Sequence, residues 1–486
     1  MQHPLTDRQR WLALMVLCLG VLMIVLDTTI VNVALPSIRA DLQFSETALV
    51  WVVNAYMLTF GGFLLLGGRL GDLYGPRRVF LAGLTLFTAA SLACGVAGSQ
   101  QLLVAARAVQ GLGGAVVSAV SLSLIMNLFS EPAERARAMG VYGFVCAGGG
   151  SVGVLLGGVL TSALSWHWIF LVNLPIGAAV SGLCMLLLPG GRAAGGEARL
   201  DVAGAVSVTL SLMLAVYAVV NGNEAGWTST HTIGLLAASA ALLATFLVVE
   251  SRTSAPLMPL GLFRLRNLAI ANVVGVLWAG AMFAWFFISA LYMQLVLGYS
   301  AMQVGLAFLP GNLIMAVCSL GVSARLVMRF GIRAPLAAGL AIAAVGLALF
   351  AQAPIDGRFA LHILPGMLLL GLGAGIAFNP LLLAAMNDVP AHESGLASGV
   401  VNTAFMMGGA LGLAILASLA AARTGMLAAA GAALPLALNG GYRLAFLLGA
   451  ACAAAAAALG GLLLRNANSA ASGGTLPSPV HQEDTP

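Results

Sequence analysis

Two ionisable side chains stand inside stretches that are otherwise apolar for the length of a membrane span. One is Asp27, within Leu26-Asp27-Thr28-Thr29-Ile30-Val31-Asn32-Val33-Ala34-Leu35-Pro36, and the other is Arg107. An ionised carboxylate at the centre of a membrane helix costs about 2.5–3.5 kcal/mol on insertion scales, so a lone one is read first as functional. Its chemistry is the uptake and release of a proton as its surroundings change. The alternative is a structural aspartate tied to helix backbone or to Asn32. Arg107 follows Gln101 by six residues, roughly 9 Å along a helix, and Asp27 precedes Pro36 by nine, roughly 13 Å. Similar depth allows a direct or water-mediated pair. The alternative for Arg107 is an arginine that only pins its helix to backbone carbonyls.

A second group of residues suits a moving joint. Gly68-Arg69-Leu70-Gly71-Asp72-Leu73-Tyr74-Gly75-Pro76-Arg77-Arg78 joins the second and third spans. Gly68 and Gly71 permit close helix approach, Gly75 permits a tight turn, and Asp72 suits a neighbouring helix N-terminus. Gly68, Asp72, Gly75 and Arg77 are therefore expected to form a gating loop. Gly153, Gly157 and Gly158 in the fifth span are expected to serve close helix packing. Candidate cavity residues are Asn32, Trp51, Tyr56, Gln110, Trp285, Phe286 and Met406, with the aromatic cluster around Trp285 able to line an adaptable apolar surface.

The elements that must position these residues are membrane helices. The chain has 486 residues, 60 % hydrophobic and 8 % charged, with a mean hydropathy of +1.02. A water-facing domain carries about 25 % charged residues. Spans of about 20 apolar residues are readable at about 11–35, 47–67, 79–98, 101–129, 138–162, 168–189, 202–221, 232–249, 267–297, 302–324, 334–353, 359–387, 395–422 and 443–464. All 21 basic residues are arginine, scattered through short loops, which argues against nucleic acid as a partner. Fourteen spans put Arg39, Arg358, Arg423 and Arg443 on one side, Arg107 in the membrane and the other 16 on the side of both termini. That asymmetry places the termini in the cytoplasm. The longest connections are expected at 250–267 and 423–442. The run after Arg8 and Arg10 is too long for a signal peptide and is read as a retained span. The six cysteines lie in apolar segments without metal-ligand spacing, and no cofactor, metal or catalytic set is expected.

The chain repeats itself. Arg69, Leu70, Tyr74, Gly75 and Arg77 are echoed by Arg325, Leu326, Phe330, Gly331 and Arg333, and Gly111-Leu112-Gly113 by Gly371-Leu372-Gly373. Duplicated halves are a transporter architecture. The expected organisation is a six-helix bundle at 1–190, two inserted helices at 191–255, a second six-helix bundle at 256–465 and a disordered tail at 466–486.

These segments together resemble the major facilitator superfamily, in its fourteen-helix drug:proton antiporter branch. The resemblance rests on the segment from Leu26 to Pro36, on Gly68, Leu70, Asp72, Gly75 and Arg77, on Leu103, Arg107, Gln110 and Gly111, and on Trp166-His167-Trp168-Ile169-Phe170-Leu171-Val172-Asn173-Leu174-Pro175-Ile176-Gly177. Departures are Leu73 and Pro76 where the family carries basic residues, Val154 for a proline in the fifth helix, His167 for an arginine, and Phe405-Met406 where relatives often carry Arg-Gln. The resemblance implies an all-α fold and alternating access between two six-helix halves. It implies export of apolar or cationic drugs against protons at the inner membrane, by a monomer with lipid around it, with Asp27 and Arg107 in proton coupling. An exporter of one endogenous metabolite or antibiotic shares every one of these motifs.

Overall fold

The computed structural model of the chain describes residues 6–129, 131–188, 201–253, 256, 258, 260–389 and 394–465. Arg192, Arg199 and the tail 466–486 lie outside the described residues, as do the side chains of Asp72, Arg135 and Cys146. All regular structure described is helical. The first six crossings are α1 (Asp7–Leu42), α2 (Val50–Tyr74), α3 (Pro76–Gly95), α4 (Gln100–Leu128), α5 (Pro132–Ala163), and α6 (Trp168–Leu171) continued by α7 (Asn173–Leu187). Two more follow, α8 (Val202–Ala225) and α9 (Thr230–Arg252). The last six are α10 (Arg266–Leu291), α11 (Ala301–Val317) continued through a π turn by α12 (Ser323–Phe330), α13 (Arg333–Phe350), α14 (Leu364–Met386), α15 (Ser394–Ala429) and α16 (Leu434–Leu463). Thirteen crossings meet the length and hydropathy of a membrane span among the described residues, and α5, whose described apolar part is shorter, runs for 32 residues as one helix.

Local chemistry sets the helix ends. Thr6 and Gln9 form a capping box at α1, and Ser300 and Gln303 do the same at α11, each satisfying backbone N–H groups that a helix start leaves open. The junction of α2 and α3 is a single residue, Gly75, at φ +91°, followed by Pro76 in the first turn of α3. Gly331 ends α12 at φ +74°, the equivalent place in the repeat. The expected gating loop is thus mostly helix, with Gly68 and Asp72 inside α2.

Three further boundaries differ from the sequence reading. α1 passes through Pro36 to Leu42. The expected connection at 423–442 shrinks to the turn between Ala429 and Leu434, which leaves Arg423 and Arg443 inside helices. Arg443 Nε donates to the carbonyl of Ala351 at 2.6 Å, a local partner that lets its charge sit within α16.

The repeat is visible in packing. α2 packs on α4, α3 on α4, α1 on α5, α1 on α7 and α3 on α7. Each contact has its counterpart in α11 on α14, α13 on α14, α10 on α15, α10 on α16 and α13 on α16. The glycine echo explains itself here. A Cβ on Gly111 would overlap backbone of α2, and one on Gly113 would sit 2.6 Å from the Phe87 nitrogen of α3. Gly371 and Gly373 make the same two approaches to α11 and α13. Close approach of three backbones excludes a side chain at all four positions.

The two sets touch along α5 with α11 and α2 with α15, a further symmetric pair. Ser162 Oγ accepts from the Met302 nitrogen at 3.1 Å, Gln294 Nε2 donates to Val33 O at 2.9 Å, and Asn54 Nδ2 donates to Ala410 O at 2.9 Å. These links lie toward the face opposite the chain termini. α8 packs on both α2 and α15, so the additional helices lie against both sets.

Candidate functional site

Asp27 and Arg107 meet. Arg107 Nη1 lies 2.6 Å from Asp27 Oδ2, with the arginine side chain 1 % exposed and the aspartate 0 %. α1 supplies the carboxylate and α4 the guanidinium. The axial estimate placing them at similar depth took Pro36 as the end of α1, whereas the helix continues beyond it.

The surroundings satisfy both charges. Arg107 Nε donates to Val52 O of α2 at 2.9 Å, and Nη1 also donates to Gln110 Oε1 at 2.7 Å. The guanidinium carbon lies 4.4 Å from the ring centre of Tyr56 and 5.6 Å from that of Phe170, a cation–π enclosure that excludes water. Asp27 Oδ1 accepts from Gln110 Nε2 at 2.7 Å and from Asn173 Nδ2 at 3.1 Å. Ser91 and Cys94 of α3 complete the group, the Cys94 thiol 3.7 Å from Gln110 Oε1. Each of these hydrogen bonds is donated to Asp27, the complement of a carboxylate rather than of a carboxylic acid. A proton arriving there removes the charge that strengthens these bonds, which ties protonation to the helices that carry these side chains.

All of these residues come from α1 to α7. Asn32 is buried one turn along α1, its amide bonded to Thr28 O and Thr29 O of its own helix. The other cavity candidates separate. Tyr56 and Gln110 belong to the ion-pair network. Trp51 faces Tyr217 of α8, ring centres 6.4 Å apart. Met406 packs at Gly61 where α2 crosses α15. Trp285 and Phe286 line a small pocket within the second set, with Trp278, Met282, Asn312 and Met315. Phe405 clusters with Phe283 and Phe378 nearby.

Gly153 and Gly157 press on α1, where a Cβ on Gly157 would lie 2.6 Å from Ile30 O, and Gly158 meets Ala301 O of α11 at 2.8 Å on the same construction. Arg77 Nη2 donates to Met185 O of α7 at 2.7 Å, fixing the start of α3. Sequence reasoning gave Ser91 and Asn173 no role. A neutral serine in an apolar span is unremarkable, and Asn173 had only its place in the Trp166–Gly177 segment to signal it.

Comparison with known proteins agrees with this architecture. Residues 17–413 match the family model of the Major Facilitator Superfamily. The chain is 42 % identical to the puromycin resistance protein pur8 of Streptomyces alboniger over 84 % of this chain and 82 % of that protein. It is 42 % identical to the cephamycin export protein CmcT of Amycolatopsis lactamdurans, covering 83 % and 84 %. It is 38 % identical to the multidrug resistance protein Stp of Mycobacterium tuberculosis, covering 86 % and 77 %. Among solved structures, an auto-inhibited POT family peptide transporter superposes with a TM-score of 0.66 at 17 % identity, over 94 % of this chain and 96 % of that one, a likeness of fold.

Proposed function

This chain belongs to the Major Facilitator Superfamily, and we propose that it exports drugs or other apolar or cationic small molecules in exchange for protons, by alternating access. It is a multi-pass membrane transporter of the drug and antibiotic efflux kind. The observation that carries proton coupling is the sealed Asp27–Arg107 pair, a charge kept in an apolar protein at real energetic cost. In this state Asp27 is enclosed within the first six-helix set, so substrate does not touch it. Proton and substrate compete through helix rearrangement: protonation loosens the donors around Asp27, and substrate occupies the space between the sets.

The excess of arginines on the side of the termini supports an inner-membrane protein with both termini cytoplasmic. The face that carries the links between the two sets is then the external one. The organisation into bundles at 1–190 and 256–465 around an insert at 191–255 is supported by the repeated packing. The proton gradient is the energy source, no cofactor is required, and a monomer suffices because each access route lies within one chain. A second reading, dedicated export of one endogenous antibiotic, is favoured by the relative named for cephamycin export.

Substrate-driven proton release in inverted vesicles tests the coupling. Asp27→Asn is expected to abolish it, and release at the wild-type rate would remove Asp27 from the mechanism. Efflux measured across a panel of dyes and antibiotics separates the broad exporter from the dedicated one.

A further inference from the structure

The orientation of the side chains around Asp27 traces to one hydroxyl. Ser91 Oγ donates to Phe87 O at 2.8 Å, which commits its only hydrogen. Its lone pairs accept from Gln110 Nε2 at 2.8 Å and from Asn173 Nδ2 at 3.3 Å. Each amide nitrogen has a second hydrogen, and in both residues it goes to Asp27 Oδ1. Ser91 therefore decides which end of each amide the aspartate sees. Gln110 is held a second time, because its Oε1 accepts from Arg107. Asn173 is the first residue of α7, directly after Val172, where α6 passes into α7 within the sixth crossing.

We propose that Asn173 is a positioning residue for proton uptake at Asp27: pinned by Ser91, it presents an N–H to Oδ1, holds the aspartate toward Arg107 and sets the pH at which transport responds to protons. The inference rests on Asp27 being the proton carrier. The physical step is simple. A protonated Asp27 no longer draws the Asn173 N–H as a carboxylate does, so protonation frees that amide to turn, whereas Gln110 stays held through Oε1 by Arg107. Turning Asn173 breaks its bond to Ser91. Because Asn173 opens α7, the break is felt at the start of that helix, and a local protonation becomes a helix movement.

The test compares Asn173→Leu, which keeps the volume and removes the amide, with Ser91→Ala, which keeps the amide and removes its pin. The readout is the pH profile of substrate-driven proton release in inverted vesicles. A hydrogen bond to a charged group is worth enough that losing it moves a titration by about one pH unit, or tenfold in proton affinity. Asn173→Leu is expected to move the half-maximal point upward by about that amount, and Ser91→Ala in the same direction by less. A fall in rate by the same factor at every pH, without displacement of the profile, overturns the proposal.

Asp27→Asn in the same vesicles separates the two readings. If proton release survives it, the carrier assignment fails whatever Asn173 does. If release is lost there while Asn173→Leu titrates like the wild type, only the present inference fails. The infrared band of the protonated Asp27 carboxyl, identified by its loss in Asp27→Asn and followed against pH in purified protein, gives the same answer without transport. It is expected to persist to higher pH in both variants, and an unmoved band counts against the proposal.

Discussion

Arg107 Nη1 is 2.6 Å from Asp27 Oδ2 and 2.7 Å from Gln110 Oε1, so a single nitrogen serves both the ion pair and the amide that closes it. Removing the guanidinium leaves a buried carboxylate uncompensated, which costs about 3–5 kcal/mol. Arg107→Ala is expected to lower the melting temperature in detergent and to abolish transport. The double variant Asp27→Asn with Arg107→Gln should recover much of the melting temperature while leaving transport lost. Arg107→Lys should fold but transport at least tenfold more slowly, because an ammonium cannot reach Val52 O and Asp27 in the fixed fork of a guanidinium. Wild-type rates in Arg107→Lys would show that charge alone suffices.

The contact between α5 and α11 offers a direct handle on alternating access. Ser162 Oγ accepts from the backbone of Met302 across the two sets. Cysteines at both positions, in a chain whose six native cysteines are replaced, should form a disulfide under oxidation and stop transport. Reduction should restore it. Full transport with the bond formed would mean that α5 and α11 do not part during the cycle.

Glycine packing predicts an asymmetric response to added methyl groups. Gly371→Ala would push a Cβ into the Gly311 carbonyl, whereas a Cβ on Gly234 of α9 meets nothing within 4 Å. The first should destabilise by about 1–3 kcal/mol through overpacking. The second should be neutral or stabilise by roughly 0.5–1 kcal/mol, as alanine is the better helix former. Thermal melting of the two variants is the measurement, and equal effects would count against the close contact of α14 with α11.

Glu46, in the turn between α1 and α2, titrates above the usual carboxylate range because burial disfavours its charge, an effect that Tyr442 and Arg39 only partly offset. An acid whose folded-state value is raised binds more protons folded than unfolded, so its contribution to stability is present below the unfolded value and lost as pH rises through the folded one. Glu46→Gln should therefore raise the melting temperature at neutral pH relative to the wild type, with the gain vanishing near pH 4. A gain independent of pH would assign the effect to packing instead.

Asp27 and Arg107 were legible in the sequence because a charge in an apolar span is costly and therefore conspicuous. Their partners Ser91 and Asn173 were not, since neutral polar side chains are cheap in helices and only their convergence gives them meaning. The repeat was readable because Gly75 and Gly331 must adopt positive φ, and because Gly111 and Gly371 must vanish into a neighbouring backbone. Helix ends were misread where they were taken from charge and proline. Pro36 sits inside α1, and Arg423 and Arg443 sit inside helices, since a membrane helix can carry either when neighbouring groups satisfy it. Which aromatic residues face one another depended on helix rotation, and hydropathy carries no record of that.

Arg107, Gln110 and Asn173, which bond Asp27, belong to the stretch ending at Asn173, whereas the pocket beside Trp285 is built from Trp278 onward. The charged network and that pocket thus occupy separable lengths of chain. A lineage can drift in one without retuning the other, and a hybrid that keeps residues 6–188 and borrows the remainder from a relative inherits the whole charged network intact.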